Sequence, residues 1–290
     1  MNLAVAFRLG RVSNLPTVWS NVLTGAALAG AATADARLLI LVVAASLFYV
    51  GGMFLNDAFD HVFDARARPE RPIPAGLVSP AQVHAFGFGM LACGLALLAW
   101  AGYGFAPFAQ WRPLAAGFAL AAAIVYYNWH HKNNPLSPLI MGVCRMLVYV
   151  TAAMAVAAAV PGPVGIAAVV LLCYLIGLTY AAKKEHLGRL DNAWPLAFLA
   201  VPLVYGVYLA TSQPTAVWPL ALLALWAAYA VWLLRRRKPG DVPRAVISLI
   251  AGMSVLDAML LTGAGHVMFA WLALAAFVLT LALQRWITGT

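Results

Sequence analysis

The stretch NDAFDHVFDARARPERPIPAG, residues 56–76, interrupts a chain that is otherwise almost continuous hydrocarbon. It holds Asp57, Asp60, Asp64 and Glu70, four of the nine acidic residues in the protein, followed closely by Arg66, Arg68 and Arg71. A charge excess this local, at the end of an apolar run, needs a partner that a bilayer does not supply.

The surroundings are those of a membrane protein. Of the 290 residues 64% are hydrophobic and 9% charged, and mean hydropathy is +0.88. Soluble domains carry about a quarter charged residues. Apolar runs recur at 15–33, 37–56, 82–104, 112–128, 137–160, 163–182, 193–211, 215–234, 244–263 and 266–286. Each is near the ~20 residues a helix needs to cross the hydrocarbon. They are continuous instead of alternating with period two, which excludes barrel strands. The expectation is an all-α polytopic bundle of nine or ten helices, ten favoured, in a single domain over 1–290.

The net charge of +9 follows topology and gives no reason to expect nucleic acid. Placing both termini inside puts fifteen of the 18 basic residues in inside loops, leaves Arg37 and Arg112 outside, and buries Arg145. That bias orients the termini and the 56–76 stretch toward the cytoplasm; the membrane expected is a bacterial inner membrane. Cys93, Cys144 and Cys173 lie inside apolar runs without metal or disulfide spacing. The first residues lack the short apolar core and small-residue cleavage site of a signal peptide.

If the second helix continues past Asn56, Asp57, Asp60 and Asp64 fall at i, i+3 and i+7 on one face. Three stacked carboxylates repel one another unless cations sit between them. Hard oxygen ligands with positions left for substrate phosphates suit Mg²⁺. Asn56 adds an amide oxygen or orients a carboxylate. Arg68 and Arg71 then suit the non-bridging oxygens of a metal-bridged diphosphate. Two plainer readings stand beside this one: an acidic but solvated loop, and arginines that serve only the positive-inside bias.

On these residues the chain resembles the UbiA superfamily of intramembrane prenyltransferases. NDAFDHVFD with RPERPIPAG is similar to the first aspartate-rich motif of that family and its Arg-Pro loop. YYNWHHKNNPLSPLIMG at 126–142 is similar to the loop between helices four and five, with Lys132 as its basic residue. RVSNLPTVWSNVLTG at 11–25 resembles the entry to helix one. The resemblance implies a helical bundle around a central cavity with a cytoplasmic cap. It also implies two aspartate-rich segments holding the Mg²⁺-diphosphate of an allylic prenyl donor, whose tail lies in an apolar tunnel.

The second segment departs from the family form YxxxDxxxD. In YAAKKEHLGRLDN, 180–192, the aspartate positions counted from Tyr180 hold Lys184 and Gly188; Glu185 and Asp191 remain nearby. Either the Lys184 ammonium replaces a second ion, with Glu185 as ligand, or this half of the site has degenerated. KKEHLG together with MGVCRMLVYV, 141–150, looks like a divergent branch, the UbiA-like proteins of the Ebo gene cluster. The resemblance thus implies Asp57, Asp60, Asp64, Lys184 and Glu185 as catalytic. It implies Asp57, Asp60, Asp64 and Glu185 as metal ligands, and Asn56, Arg68, Arg71, Lys132, Arg145 and Tyr180 as substrate contacts.

Two charges lie inside apolar runs. Arg145 is expected near the polar site, as a contact to diphosphate or acceptor. Asp257 is expected in a helix-packing hydrogen bond, with a pocket base as the second reading. His130 and His131 read as solvated. Tyr126, Tyr127, Tyr149 and Tyr180 read either as cavity walls that shield a carbocation or as interfacial belt residues. The function expected is prenyl transfer from an allylic diphosphate to a lipophilic, aromatic acceptor. A sugar-diphosphate transferase and a non-catalytic diphosphate-lipid binder are the alternatives.

Overall fold

The structure, a computed structural model, describes residues 1–105, 109–132, 134–183 and 194–287. Among these residues there are eleven α-helices and no strand. They are α1 (Leu3–Gly10), α2 (Leu15–Leu28), α3 (Arg37–Ala67), α4 (Pro80–Tyr103), α5 (Arg112–His130), α6 (Ser137–Met154), α7 (Gly162–Lys183), α8 (Ala200–Ser212), α9 (Val217–Arg236), α10 (Asp241–Gly263) and α11 (Val267–Leu283). Each apolar run of the sequence becomes one helix, from α2 to α11. Six segments are long and apolar enough to cross a membrane: α3, α4, α6, residues 162–181 of α7, α9 with its preceding 3-10 turn, and α10.

Several bounds follow from local chemistry. The first run stops short at Leu28 because the chain turns through Gly30 at φ 97°, a backbone region that glycine enters without a steric penalty. α4 opens on a capping box, in which Ser79 and Gln82 satisfy each other's backbone N–H. α3 does continue past Asn56, for 31 residues in all, and ends where RPERPIP stiffens the chain. The sequence reading did not include α1. Asn2 caps it, and it presses Val5 and Leu9 onto Phe54, Ala58, Ile73 and Val83 while exposing Leu3 and Phe7.

α10 is the most enclosed helix. Every residue from Ala251 to Thr262 is buried, so the helix is covered on all sides by protein. It packs on α9 and α11 and also touches α2, α7 and α8. α3 lies along α4, and α6 lies between α5 and α7 while crossing α2. The crossing of α2 and α6 is close: a Cβ built on Gly25 would lie 2.5 Å from the Tyr149 carbonyl oxygen and 2.7 Å from its Cα. Only glycine allows the two backbones to meet there.

One end of the bundle gathers the charges. Arg8 donates to the Glu70 carbonyl (3.3 Å), Arg11 reaches Asp57, and Lys132 reaches Asp60. Gln284, just past α11, donates to Asn14 beside the same cluster (3.0 Å). Residues near both ends of the chain therefore lie at the aspartate end. At the other end Arg37 is held by Asp35 (2.5 Å) and the Ala155 carbonyl (2.9 Å).

Because Tyr149 meets Gly25 through its backbone, no rotamer change relieves a substitution. Gly25→Ala should lower stability by about 1–3 kcal/mol, measured as a fall in the midpoint of thermal unfolding in detergent. An unchanged midpoint would show that α2 and α6 do not approach this closely.

Candidate active site

The last three turns of α3 carry Asn56, Asp57, Asp60 and Asp64, all at least nine-tenths buried. They share a face, as the i, i+3, i+7 spacing requires. Every acid on that face meets a base from another segment. Arg71, from the loop after α3, donates through one nitrogen, Nη1, to Asp64 (2.5 Å) and to Asp57 (3.3 Å). Arg11, from the turn after α1, donates to Asp57 (3.3 Å) and Asn56 (3.4 Å). Lys132, between α5 and α6, lies 3.0 Å from Asp60 and 3.9 Å from the centre of the Phe63 ring. His131 Nε2 lies 3.3 Å from Asp60. Below this layer Asn56 donates to Asn128 of α5 (3.1 Å), which donates to the Gly52 carbonyl (3.0 Å). Removing either side of such a pair leaves the other without its counter-charge.

The repulsion expected among three stacked carboxylates is thus relieved by guanidinium and ammonium groups of the chain itself. Asp57 and Asp64 converge on one cationic nitrogen, which defines a position for positive charge between two hard oxygen donors. Among the described residues, no three acidic, histidine or cysteine side chains already form a metal-binding group.

Under the acids lies a cavity of about 60 Å³, walled by α2, α3, α5 and α6. Gly52, Met53, Tyr127 and Asn128 form its mouth and Phe48, Leu120 and Val148 its inner wall. The lining is apolar except for Asn128, Arg145 and the Tyr49 and Tyr127 hydroxyls. A smaller void of about 10 Å³ continues inward.

Arg145 is not in the aspartate layer. It sits in the cavity wall, donating to Asn21 (3.0 Å) and Thr17 (3.2 Å), with Tyr49 5.3 Å from its guanidinium carbon. Asn21 in turn donates to Asp257 (2.8 Å), which also accepts from the Tyr149 hydroxyl. Ser20 and Ser254 bond beside them (3.0 Å). The two intramembrane charges therefore belong to one buried network that ties α2, α6 and α10 together, the packing role expected for Asp257. Tyr149 is committed to this network and is not a cavity wall. Tyr126 is 47% exposed and also faces away; the cavity's aromatic walls are Phe48, Tyr49 and Tyr127.

Of the other expected residues, Arg68 caps α3 half-buried, its N–H bonded to the Asp64 carbonyl (2.8 Å). Tyr180 is half-buried in the last turn of α7. Lys184, Glu185, Gly188 and Asp191 lie outside the described residues. Arg11, His131 and Asn128 were not singled out for the site by the sequence. In the sequence Arg11 reads as topological charge, although it opens the helix-one segment. His131 reads as solvated, yet its neighbour Lys132 is the signal. Arg11 also adopts a left-handed backbone (φ 43°), unusual for a side chain and imposed where α1 turns into α2.

Apolar helices closed at one end by paired acids and bases, with an apolar cavity beneath, define an integral multi-pass membrane protein. Residues 18–250 match the UbiA prenyltransferase family, and the chain belongs to it. It is a membrane prenyltransferase. Among curated proteins it is similar to digeranylgeranylglyceryl phosphate synthase of Methanopyrus kandleri, 28% identical over 209 residues, 71% of this chain and 72% of that one. The protein of the same name from Thermococcus gammatolerans is 28% identical over 203 residues, 63% of this chain and 69% of that one. Two solved structures share the fold. One, from work on digeranylgeranylglyceryl phosphate synthase in membranes, has a TM-score of 0.63 at 18% identity over 92% of this chain and 99% of its own. The other, an apo UbiA homologue from Aeropyrum pernix, has a TM-score of 0.55 at 17% identity over 93% and 96%.

Asp257→Ala removes the acceptor of both Asn21 and the Tyr149 hydroxyl. It should lower stability by about 1–3 kcal/mol. Asp60→Ala should cost less, because its partner Lys132 is 41% exposed and can turn to water. Unfolding of the two variants side by side checks the order; equal effects would contradict the division into packing and cap networks.

Proposed function

We propose that the protein transfers a prenyl group from an allylic prenyl diphosphate to a lipophilic acceptor in a Mg²⁺-dependent reaction, with Asp57, Asp60 and Asp64 holding the metal-diphosphate head. The observation that carries this is the convergence of Asp57 and Asp64 on a single cationic nitrogen directly above an apolar cavity. Two carboxylates aimed at one point supply hard oxygens, the donor type Mg²⁺ takes, and leave room for phosphate oxygens and water. Bound there, the ion would screen the negative charge that grows on the departing diphosphate.

The chain's own groups do the rest. Arg71, Arg11, Arg68 and Lys132 offer donors to phosphate oxygens from three sides of the acid face. Asn56, fixed by Asn128, orients the layer. The cavity below excludes water, and its ring faces, Tyr49 and Tyr127, stabilise a developing allylic cation. In the second aspartate-rich segment, Lys184 neutralises diphosphate charge where the family form has an aspartate, and Glu185 adds a ligand or holds Lys184. The reading places the cap and both termini on the cytoplasmic side of a bacterial cell membrane. The inside bias of basic residues supports that orientation.

For the acceptor, an aromatic lipid suits the apolar cavity. A prenylated glyceryl phosphate is the second reading, because the similar curated proteins carry the name of a digeranylgeranylglyceryl phosphate synthase. The test is pyrophosphate release by purified protein with Mg²⁺, farnesyl or geranylgeranyl diphosphate, and acceptors of both kinds. Release should depend on Mg²⁺ and on one acceptor class, and Asp60→Ala should slow it about 100-fold or more. Tight Mg²⁺-dependent donor binding with no release under any acceptor would sink the proposal and leave a diphosphate-lipid binder. Release from a sugar diphosphate alone would leave the donor reading wrong.

A further inference from the structure

The cavity under the acids and the smaller one beyond it are neighbours in a line. Along α3 the wall runs from Met53 through Phe48 and Ala45 to Leu41, twelve residues and so ~18 Å of helix. α5 and α6 give the same order: Asn128 and Met141 line the outer cavity, and Ala152 the inner. Ala45, Phe48, Leu120 and Val148 line both. Phe48 is the largest of the four and is 2% exposed.

Phe48 has little freedom to withdraw. A methyl built on Gly94 of α4 would lie 2.9 Å from its Cε2 and 3.0 Å from its Cδ2, so the ring rests against bare α4 backbone. Beyond it the inner space is apolar save for Thr151, whose buried hydroxyl has no partner among the described residues. A tail entering from the acid end therefore meets a fixed ring with only a small apolar void, about 10 Å³, behind it.

We infer that Phe48 sets the prenyl chain length, as the partition that ends the tail site of the outer cavity and closes off the inner one. The inference rests on the prenyl-diphosphate reading and adds its specificity-determining residue. Shortening Phe48 adds the volume of its ring and joins the two spaces, so longer tails gain apolar burial while shorter ones gain nothing. One further buried isoprene unit moves several methylene groups out of water. A shift in preference of about tenfold or more is therefore expected.

The experiment uses the full chain in detergent micelles with Mg²⁺ and an equimolar mixture of farnesyl, geranylgeranyl and geranylfarnesyl thiolodiphosphates, which bind without ionising. The bound fraction of each is read by mass spectrometry. Phe48→Ala should shift the bound mixture toward the longest analogue at least tenfold, and Phe48→Leu should shift it less in the same direction. Adding Ala152→Leu, which lines only the inner cavity, should cancel the gain. Ala152→Leu alone should leave the wild-type ranking as it is. If Phe48→Ala does not fold, the Phe48→Leu pair carries the same test. An unchanged ranking in the folded Phe48 variants overturns the inference. Failure of the wild type to retain any analogue overturns instead the prenyl-diphosphate reading beneath it.

Discussion

Three carboxylates on successive turns of α3, each almost out of reach of water, cannot coexist without positive charge among them. The bases that meet them come from outside α3: Arg71 from a chain that folds back after the helix, Arg11 from the turn after α1, and Lys132 with His131 from the link between α5 and α6. Each pair is also a topological tie. The acid face thereby draws three separate segments over the end of the bundle, and the cap is the result of satisfying it. A cap held by ion pairs, unlike one held by hydrocarbon, can also yield to a ligand that brings its own charge. A metal-diphosphate does so with both signs at once.

The other buried charges behave differently. Asp257 and Arg145 are joined through Asn21; the Tyr149 hydroxyl also donates to Asp257, Arg145 also donates to Thr17, and Ser20 bonds Ser254 beside them. This network ties together helices that are otherwise apolar, where dispersion alone distinguishes one packing from another. Gly25 makes it possible by letting α2 and α6 touch, which brings Asn21 and Thr17 within reach of Arg145. Position relative to the cavity separates the two groups. The aspartate layer closes its mouth, whereas the Asp257 network stiffens its wall and shows only Arg145 to the interior.

The helices were legible because an uninterrupted apolar run admits little else in a membrane, and each run from 15 to 286 became a helix. The acid face was legible because the 3.6 period converts the spacing of 57, 60 and 64 into one side of α3. Their partners were harder to read. Arg11 precedes Asp57 by 46 residues, and Asn128 follows Asn56 by 72, separations that no local pattern encodes. Arg145 was expected at the polar end. It lies in the wall because a guanidinium satisfied by Asn21 and Thr17 does not need the cap. α1 was missed because its eight residues are too short to give an apolar run, and its exposed Leu3 and Phe7 blur the amphipathic pattern. Bulk in a cavity, the property assigned to Phe48, has no sequence signature among so many other apolar residues.

The central claim is that the acid face binds a diphosphate through Mg²⁺ and not merely through the surrounding bases. Calorimetric titration of farnesyl thiolodiphosphate into the full chain, with Mg²⁺ and then with EDTA, addresses it directly. The account predicts binding that requires the cation and weakens at least tenfold in Asp64→Asn, a change of about 1.4 kcal/mol. Asp64→Asn keeps the shape of the side chain but removes its charge. Binding of equal strength in EDTA, or strengthened by Asp64→Asn because a carboxylate had only repelled the phosphates, would contradict it.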